Sequence, residues 1–161
     1  MADMLVRLYD LPPLAPAIEA AGARGVIVRQ MLPMHKTAVL AWVQSHFPSW
    51  VAEVEVAFGT TPVSCFGAWA GEQLLGFAAW DVTCRNFFGP MGVSPEARNS
   101  GIGRALLLSA LHAQRGQGYA YAVIGGVGPA HYYEHTVGAQ VIEHSTPGIY
   151  GVPGMPRRER D

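Results

Sequence analysis

The residues best suited to chemistry lie in one short segment, 93–105, which reads as a strand end, a turn and a glycine-punctuated helix start. Gly101 and Gly103 stand on either side of Ile102. A helix start preceded by glycine exposes several backbone N–H groups that have no partner. Together with the positive end of the helix dipole, these donors form a site for a phosphate group. Arg98 and Arg104 flank the start, where acidic residues are more usual, and two cations there fit an anion bound between them.

The order of residues in this segment resembles the pyrophosphate loop of the GNAT superfamily of acyl-CoA N-acyltransferases: Val93, Pro95, Arg98, Gly101 and Gly103. The resemblance extends over roughly residues 25–150. It implies acetyl-CoA as cosubstrate, held by the backbone N–H groups of Asn99, Ser100, Gly101, Ile102, Gly103 and Arg104, with help from Arg98. It also implies that the preceding strand, here Met91, Gly92 and Val93, supplies an N–H donor to the thioester carbonyl, where negative charge develops.

A second motif, His131-Tyr132-Tyr133-Glu134 followed by Gly138, resembles the late GNAT motif. By that resemblance Tyr133 is the general acid, and Tyr132 fills a slot in the core. A phenol has a reference pKa near 10 against about 8.5 for a thiol, so protonation of a departing thiolate by a phenol is only slightly uphill. The motif departs from the family pattern in having Gly126 where Asn is frequent and one extra residue before Gly138.

The sequence identifies neither the general base nor the acceptor amine. The strand 86–93 carries no acidic residue, so the best local carboxylate is Asp81, at the end of the preceding strand. Asp81 is either the general base or only a turn residue, and a water relay is the alternative base. The family uses its first two helices and last strands to contact the acceptor, which is a primary amine of a small molecule or of a protein. Five aromatic residues in those regions either line an apolar pocket or belong to the core: Phe47, Trp50, Trp69, Trp80 and Tyr150.

Two other functions fit parts of the sequence. With no acid on the strand before the loop, the chain could be a non-catalytic module that binds acyl-CoA. His131, Glu134 and His135 match the H-x-x-E-H zinc signature of a peptidase class, and two histidines four residues apart share a helix face. Because the helix is short and no third acidic ligand follows it, the sequence favours an enzyme without a metal.

Composition and net charge indicate which partners and which cellular location to expect. The 161 residues carry a net charge of −1, so a nucleic-acid partner is not expected. No apolar run is long enough to cross a membrane, and two cysteines without a CxxC pair predict reduced thiols, so we expect a cytoplasmic protein. Charged residues make up only 14% of the chain, which predicts that part of the surface is covered in a homodimer.

These residues must be positioned by an α/β (α+β) domain spanning 1–161, with the mixed, mostly antiparallel central sheet flanked by helices of the GNAT fold. The apolar spacing predicts helices over 36–47, 49–58 and 102–115, and a short helix after Pro129. Strands are predicted over 25–30, 64–69, 74–82, 86–93, 119–124, 139–143 and 149–152, with a bulge at Gly89-Pro90. Residues 1–24 are expected to form an extended N-terminal arm, and residues 153–161 a flexible tail.

Overall fold

The computed structural model describes residues 1–154, and its centre is a seven-stranded sheet in the order β2-β3-β4-β5-β6-β1-β7. All neighbouring strands pair antiparallel except β5 and β6, which are parallel. The mixed, mostly antiparallel sheet predicted from the sequence is therefore confirmed. The strands are β1 Met4–Arg7, β2 Ile27–Gln30, β3 Cys65–Ala70, β4 Gln73–Trp80, β5 Phe87–Val93, β6 Tyr121–Ile124 and β7 Gln140–Val141.

Five α-helices cover the sheet, and their buried residues form two hydrophobic clusters on its opposite faces. The helices are α1 Ala15–Gly22, α2 Lys36–His46, α3 Val51–Ala57, α4 Ile102–Gly116 and α5 Ala130–Val137. The helices α1, α4 and α5 contribute to one cluster, and α2 and α3 contribute to the other. Side chains along β4 alternate between the two faces of the sheet, so this strand contributes to both clusters. Ala78 belongs to the first cluster and Phe77 to the second. No helix within residues 1–154 combines the length and apolar character needed to span a membrane.

The N-terminal segment differs from the extended arm that the sequence predicted. Its first strand, β1, lies inside the sheet, where Met4 pairs with Ile124 of β6 and with Val141 of β7. Met4 and Val6 are fully buried, whereas the alternate residues Leu5 and Arg7 are only half-buried. The prolines that suggested an arm follow the strand, and one of them lies in the first turn of α1, where a missing N–H costs nothing.

The C-terminal region also differs from its prediction. The strand expected over 139–143 is reduced to β7, and residues Gly148–Gly151 form a 3₁₀ turn in place of a strand over 149–152. The reason is packing, because the Tyr150 ring lies on the turn at Gly125 and Gly126 instead of joining the sheet. Ser49 lies within a 3₁₀ turn, Pro48–Trp50, so α3 begins later than predicted. Of the predicted tail, residues 155–161 lie outside the described residues.

Candidate functional site

A cleft opens where β5 and β6 diverge. The two strands pair only at Phe87 with Val123 and at Phe88 with Ile124. Strand β6 ends at Ile124, whereas β5 continues to Val93 beside β4. Across the β4–β5 ladder, the partner of Ala78 is Met91 but the partner of Trp80 is Phe88, so β5 carries one additional residue at Gly89-Pro90. The predicted bulge is confirmed, and it lies where the two strands begin to separate.

The backbone of β5 presents hydrogen-bonding groups to this cleft. The Ser94 N–H donates to the Leu75 carbonyl at 2.8 Å, which makes this a hydrogen-bonded pair of the antiparallel ladder. Because such pairs alternate, Gly92 also bonds to β4, and the backbone groups of Met91 and Val93 point away from it. Of these, the Val93 carbonyl accepts from Arg98 Nε at 3.3 Å. The N–H groups of Met91 and Val93 therefore point away from β4, and their predicted role as donors to a ligand stays a prediction.

Gly92 was also predicted to bind the coenzyme, but its backbone groups belong to the ladder with β4. Its importance is steric, because a Cβ at Gly92 would lie 2.6 Å from the Phe47 ring. A glycine inside a strand often marks the close approach of another group. Gly92 was therefore the sequence feature that could have indicated a side chain, here Phe47, packed closely over β5.

The start of α4 is built to leave its N–H groups free. Its N-cap is Gly101, with φ of +85° in the left-handed region, and no side chain caps the helix. Ser100, the residue before the cap, directs its hydroxyl back to the Ala97 carbonyl at 2.5 Å. The first turn contains no acidic residue. The N–H groups of Ile102, Gly103 and Arg104 therefore face outward at the positive end of the helix dipole, as an anion site requires.

The two arginines beside this helix start are exposed, as is Asn99 between them. The ion pairs within residues 1–154 are Arg7–Asp10 and Lys36–Glu55, so neither Arg98 nor Arg104 is neutralised by a carboxylate there. Their positive charge is available to an anion at the glycine loop.

The two tyrosines of α5 take different positions. Tyr133 is only 8% exposed, and its ring packs edge-on against Phe88, where β5 and β6 diverge, with 6.4 Å between ring centroids. Burial, with a smaller contribution from Tyr132, raises the pKa of Tyr133. Tyr132 is half-buried, and its hydroxyl lies 3.6 Å from the position a Cβ would take on Gly103. The Tyr132 ring packs against the core, as the sequence predicted, and its hydroxyl lies beside the start of α4.

Asp81 serves the fold. Its Oδ1 accepts from the Asn86 N–H at 2.7 Å, and its Oδ2 accepts from the Tyr119 hydroxyl at 2.9 Å. One carboxylate oxygen therefore closes the turn between β4 and β5, and the other ties that turn to Tyr119, which lies between α4 and β6. This arrangement does not favour Asp81 as a general base.

The five aromatic residues considered for the acceptor lie in four different parts of the fold. Phe47 and Trp50 stack at 5.0 Å and lie beside the cleft, because the Phe47 ring covers Gly92. Tyr150 lies on the opposite wall, on the turn after β6. Trp80 is fully buried in the core, and Trp69 lies near the far edge of the sheet against His35.

The H-x-x-E-H residues do not assemble a metal centre. The rings of His131 and His135 lie 4.0 Å apart, and both are exposed, as is Glu134. In the part of the chain that the structure describes, no three His, Cys, Asp or Glu side chains are grouped to hold a metal ion.

A cavity of about 330 Å³ lies elsewhere, at the β2–β3 edge, lined by Arg29, Trp69 and Glu72 among others, and it is distant from the diverging strands.

Two parallel strands therefore diverge beside a glycine-led helix start that no side chain caps, and the free N–H groups and exposed arginines there suit an anionic group. The family model described as "Acetyltransferase (GNAT) domain" matches residues 49–136, more than half of the chain. The chain therefore belongs to the GNAT acetyltransferase family. Among curated proteins, none matches the chain significantly.

Solved structures share the fold at low sequence identity. One is a glucosamine N-acetyltransferase region of a fungal multi-domain GH3 β-N-acetylglucosaminidase, with a TM-score of 0.73 and 13% identity over 88% of this chain and 19% of that one. Another is a GCN5-related N-acetyltransferase from Sphaerobacter thermophilus, with a TM-score of 0.68 and 19% identity over 88% of this chain and 48% of that one. The chain thus spans less than half the length of either protein, and these similarities show the fold alone.

Proposed function

We propose that the protein transfers the acetyl group of acetyl-CoA to a primary amine of a small molecule or a protein. The observation that carries the proposal is the cleft between β5 and β6, which ends at the uncapped start of α4. In this proposal the N–H groups of residues 99–104 hold the pyrophosphate, and Arg98 and Arg104 balance its charge. The pantetheine then runs along β5 toward Phe88, the point at which the strands meet.

The chemistry follows from this placement. The neutral amine attacks the thioester carbonyl carbon, a C–N bond forms, and the C–S bond breaks as the coenzyme thiolate leaves. The Met91 N–H, directed away from β4, is the proposed donor to the carbonyl oxygen as negative charge develops on it.

We assign the proton for the departing thiolate to Tyr133. The ring lies against Phe88 at the closed end of the cleft, where the thioester would lie. Burial raises the pKa of Tyr133, so the phenol stays protonated at neutral pH and remains a hydrogen-bond donor, although it becomes a weaker acid. Because both oxygens of Asp81 are engaged, the proton lost by the amine is assigned to a water relay.

The engagement of Asp81 also favours a second candidate, a non-catalytic module that binds acyl-CoA without turnover. The test is a screen of amine acceptors with acetyl-CoA, read by the release of free thiol, alongside a thermal-shift titration with CoA. Thiol release that depends on an amine supports the enzyme. A thermal shift with no release across the screen supports the module, and no shift at millimolar CoA overturns both.

The proposal includes a cytoplasmic homodimer. Both cysteines are free, one buried and one exposed, which fits a reducing compartment. Large apolar side chains are exposed on the side of the sheet formed by β1, β6 and β7, namely Tyr9, Tyr121 and Val141, and a partner subunit would cover them. Light scattering at micromolar concentration should give twice the 17.3 kDa of one chain, and a single 17.3 kDa species would refute the dimer.

A further inference from the structure

The Tyr132 hydroxyl reaches the start of α4, at the end of the cleft where the pyrophosphate is proposed to bind. Its hydroxyl and Val93 Cγ2 are the nearest groups to the space beside Gly103, at 3.6 and 3.8 Å from where a Cβ would stand. Gly103 is the second residue of α4, so this space adjoins the outward-facing N–H groups of the first turn.

The surroundings of the hydroxyl make it a donor suited to an anion. Burial raises the pKa of Tyr132, while the positive charge of Arg104 and a hydrogen bond with Thr136 lower it. Because burial is the largest of these effects and the pKa of Tyr132 is raised overall, the phenol keeps its hydrogen at neutral pH and can donate it to an acceptor.

We propose that the Tyr132 hydroxyl donates a hydrogen bond to the coenzyme's pyrophosphate at the start of α4, an inference that rests on the proposed function. The contact fastens α5 to the bound coenzyme. Because Tyr133 is the next residue on α5, the same contact holds Tyr133 at the closed end of the cleft. Tyr132 is thus a binding residue that positions the proposed proton donor.

The test compares two ligands and two matched variants. Calorimetric titrations use CoA and acetyl-pantetheine, which lacks the pyrophosphate, on the wild type, Tyr132→Phe and Tyr133→Phe. Tyr132→Phe keeps the ring and removes only the hydroxyl, so CoA should bind about tenfold more weakly, the usual effect of losing one hydrogen bond to a charged group. Its affinity for acetyl-pantetheine should stay within about twofold of the wild type, and Tyr133→Phe should bind both ligands as the wild type does.

Each outcome has a separate meaning. Unchanged CoA affinity in Tyr132→Phe overturns the inference and leaves the proposed function intact. An equal loss for both ligands also overturns it, because the hydroxyl would then contact the pantetheine. If the wild type itself binds no CoA, the proposed function fails first. The melting temperature of ligand-free Tyr132→Phe, expected close to that of the wild type, checks that the variant folds.

Discussion

Gly101→Ala should lower the stability of the ligand-free protein and also reduce its stabilisation by CoA. The two effects can be measured separately. At Gly101 the φ angle is +85°, and an added Cβ would meet no atom within 4 Å. The penalty is therefore conformational, about 1–2 kcal/mol for a residue with a side chain in the left-handed region. For a domain of this size each kcal/mol lowers the melting temperature by about 2–4 °C, so a fall of about 2–8 °C is expected.

Gly118→Ala is the matched control for this variant. Gly118 follows the other end of α4, has φ of +97°, and likewise has open space around it. The Gly118→Ala variant should lose a similar amount of stability, although the substituted residue lies at the opposite end of α4 from the glycine loop. In the wild type, CoA at a hundred times its dissociation constant should add about 2.7 kcal/mol, or about 5–10 °C.

Differential scanning fluorimetry with and without CoA then gives the answer. Gly118→Ala should keep the full CoA-induced rise, Gly101→Ala should lose most of it, and Gly101→Glu should lose all of it because a carboxylate occupies the phosphate position. If the three variants rise equally with CoA, the phosphates do not bind at the start of α4 and the reasoning is refuted.

Three further predictions concern the cleft and its support. Tyr133→Phe should lower kcat by about 100-fold or more with little change in the CoA dissociation constant, and an unchanged kcat with chemistry shown to limit the rate would remove Tyr133 from the mechanism. Gly92→Ala should lower the free energy of unfolding by about 1–3 kcal/mol in urea, because its Cβ would lie 2.6 Å from the Phe47 ring, and Phe47→Leu should restore part of the loss. Since burial raises the pKa of Tyr133 above that of the unfolded chain, stability is retained below about pH 10 and falls above it by up to about 1.4 kcal/mol per pH unit. Tyr133→Phe should flatten that alkaline decline, and an unchanged slope would show that Tyr133 ionises freely in the folded state.

The parts of the site that are local in sequence were predictable. The helix start at Gly101, the helix α4 and the bulge at Gly89-Pro90 each follow from residues within a few positions of one another. Glycine has no Cβ and adopts backbone angles that other residues avoid, and proline removes an N–H from the strand ladder. Both effects act at the residue's own position and do not depend on distant parts of the chain.

The parts that depend on distant partners were not predictable. The strand β1 has only four residues, and its partners Ile124 and Val141 lie near the other end of the chain. The exposure of Tyr132 and Tyr133 depends on how α5 rotates against the sheet, and adjacent residues on a short helix carry no signal that distinguishes them. From the sequence Asp81 was either a base or a turn residue, and the hydrogen bonds from Asn86 and Tyr119 favour the turn residue.

The most direct test of the account is a titration of CoA into ¹⁵N-labelled protein, followed by the backbone amide resonances. The largest shifts are expected at Asn99 through Arg104, with further shifts at Met91 and Val93 on β5. No change is expected at Arg29, Trp69 and Glu72, around the cavity at the far edge of the sheet. Shifts confined to that edge, with the amides of residues 99–104 unmoved at saturating CoA, would contradict the central claim that the coenzyme binds at the start of α4.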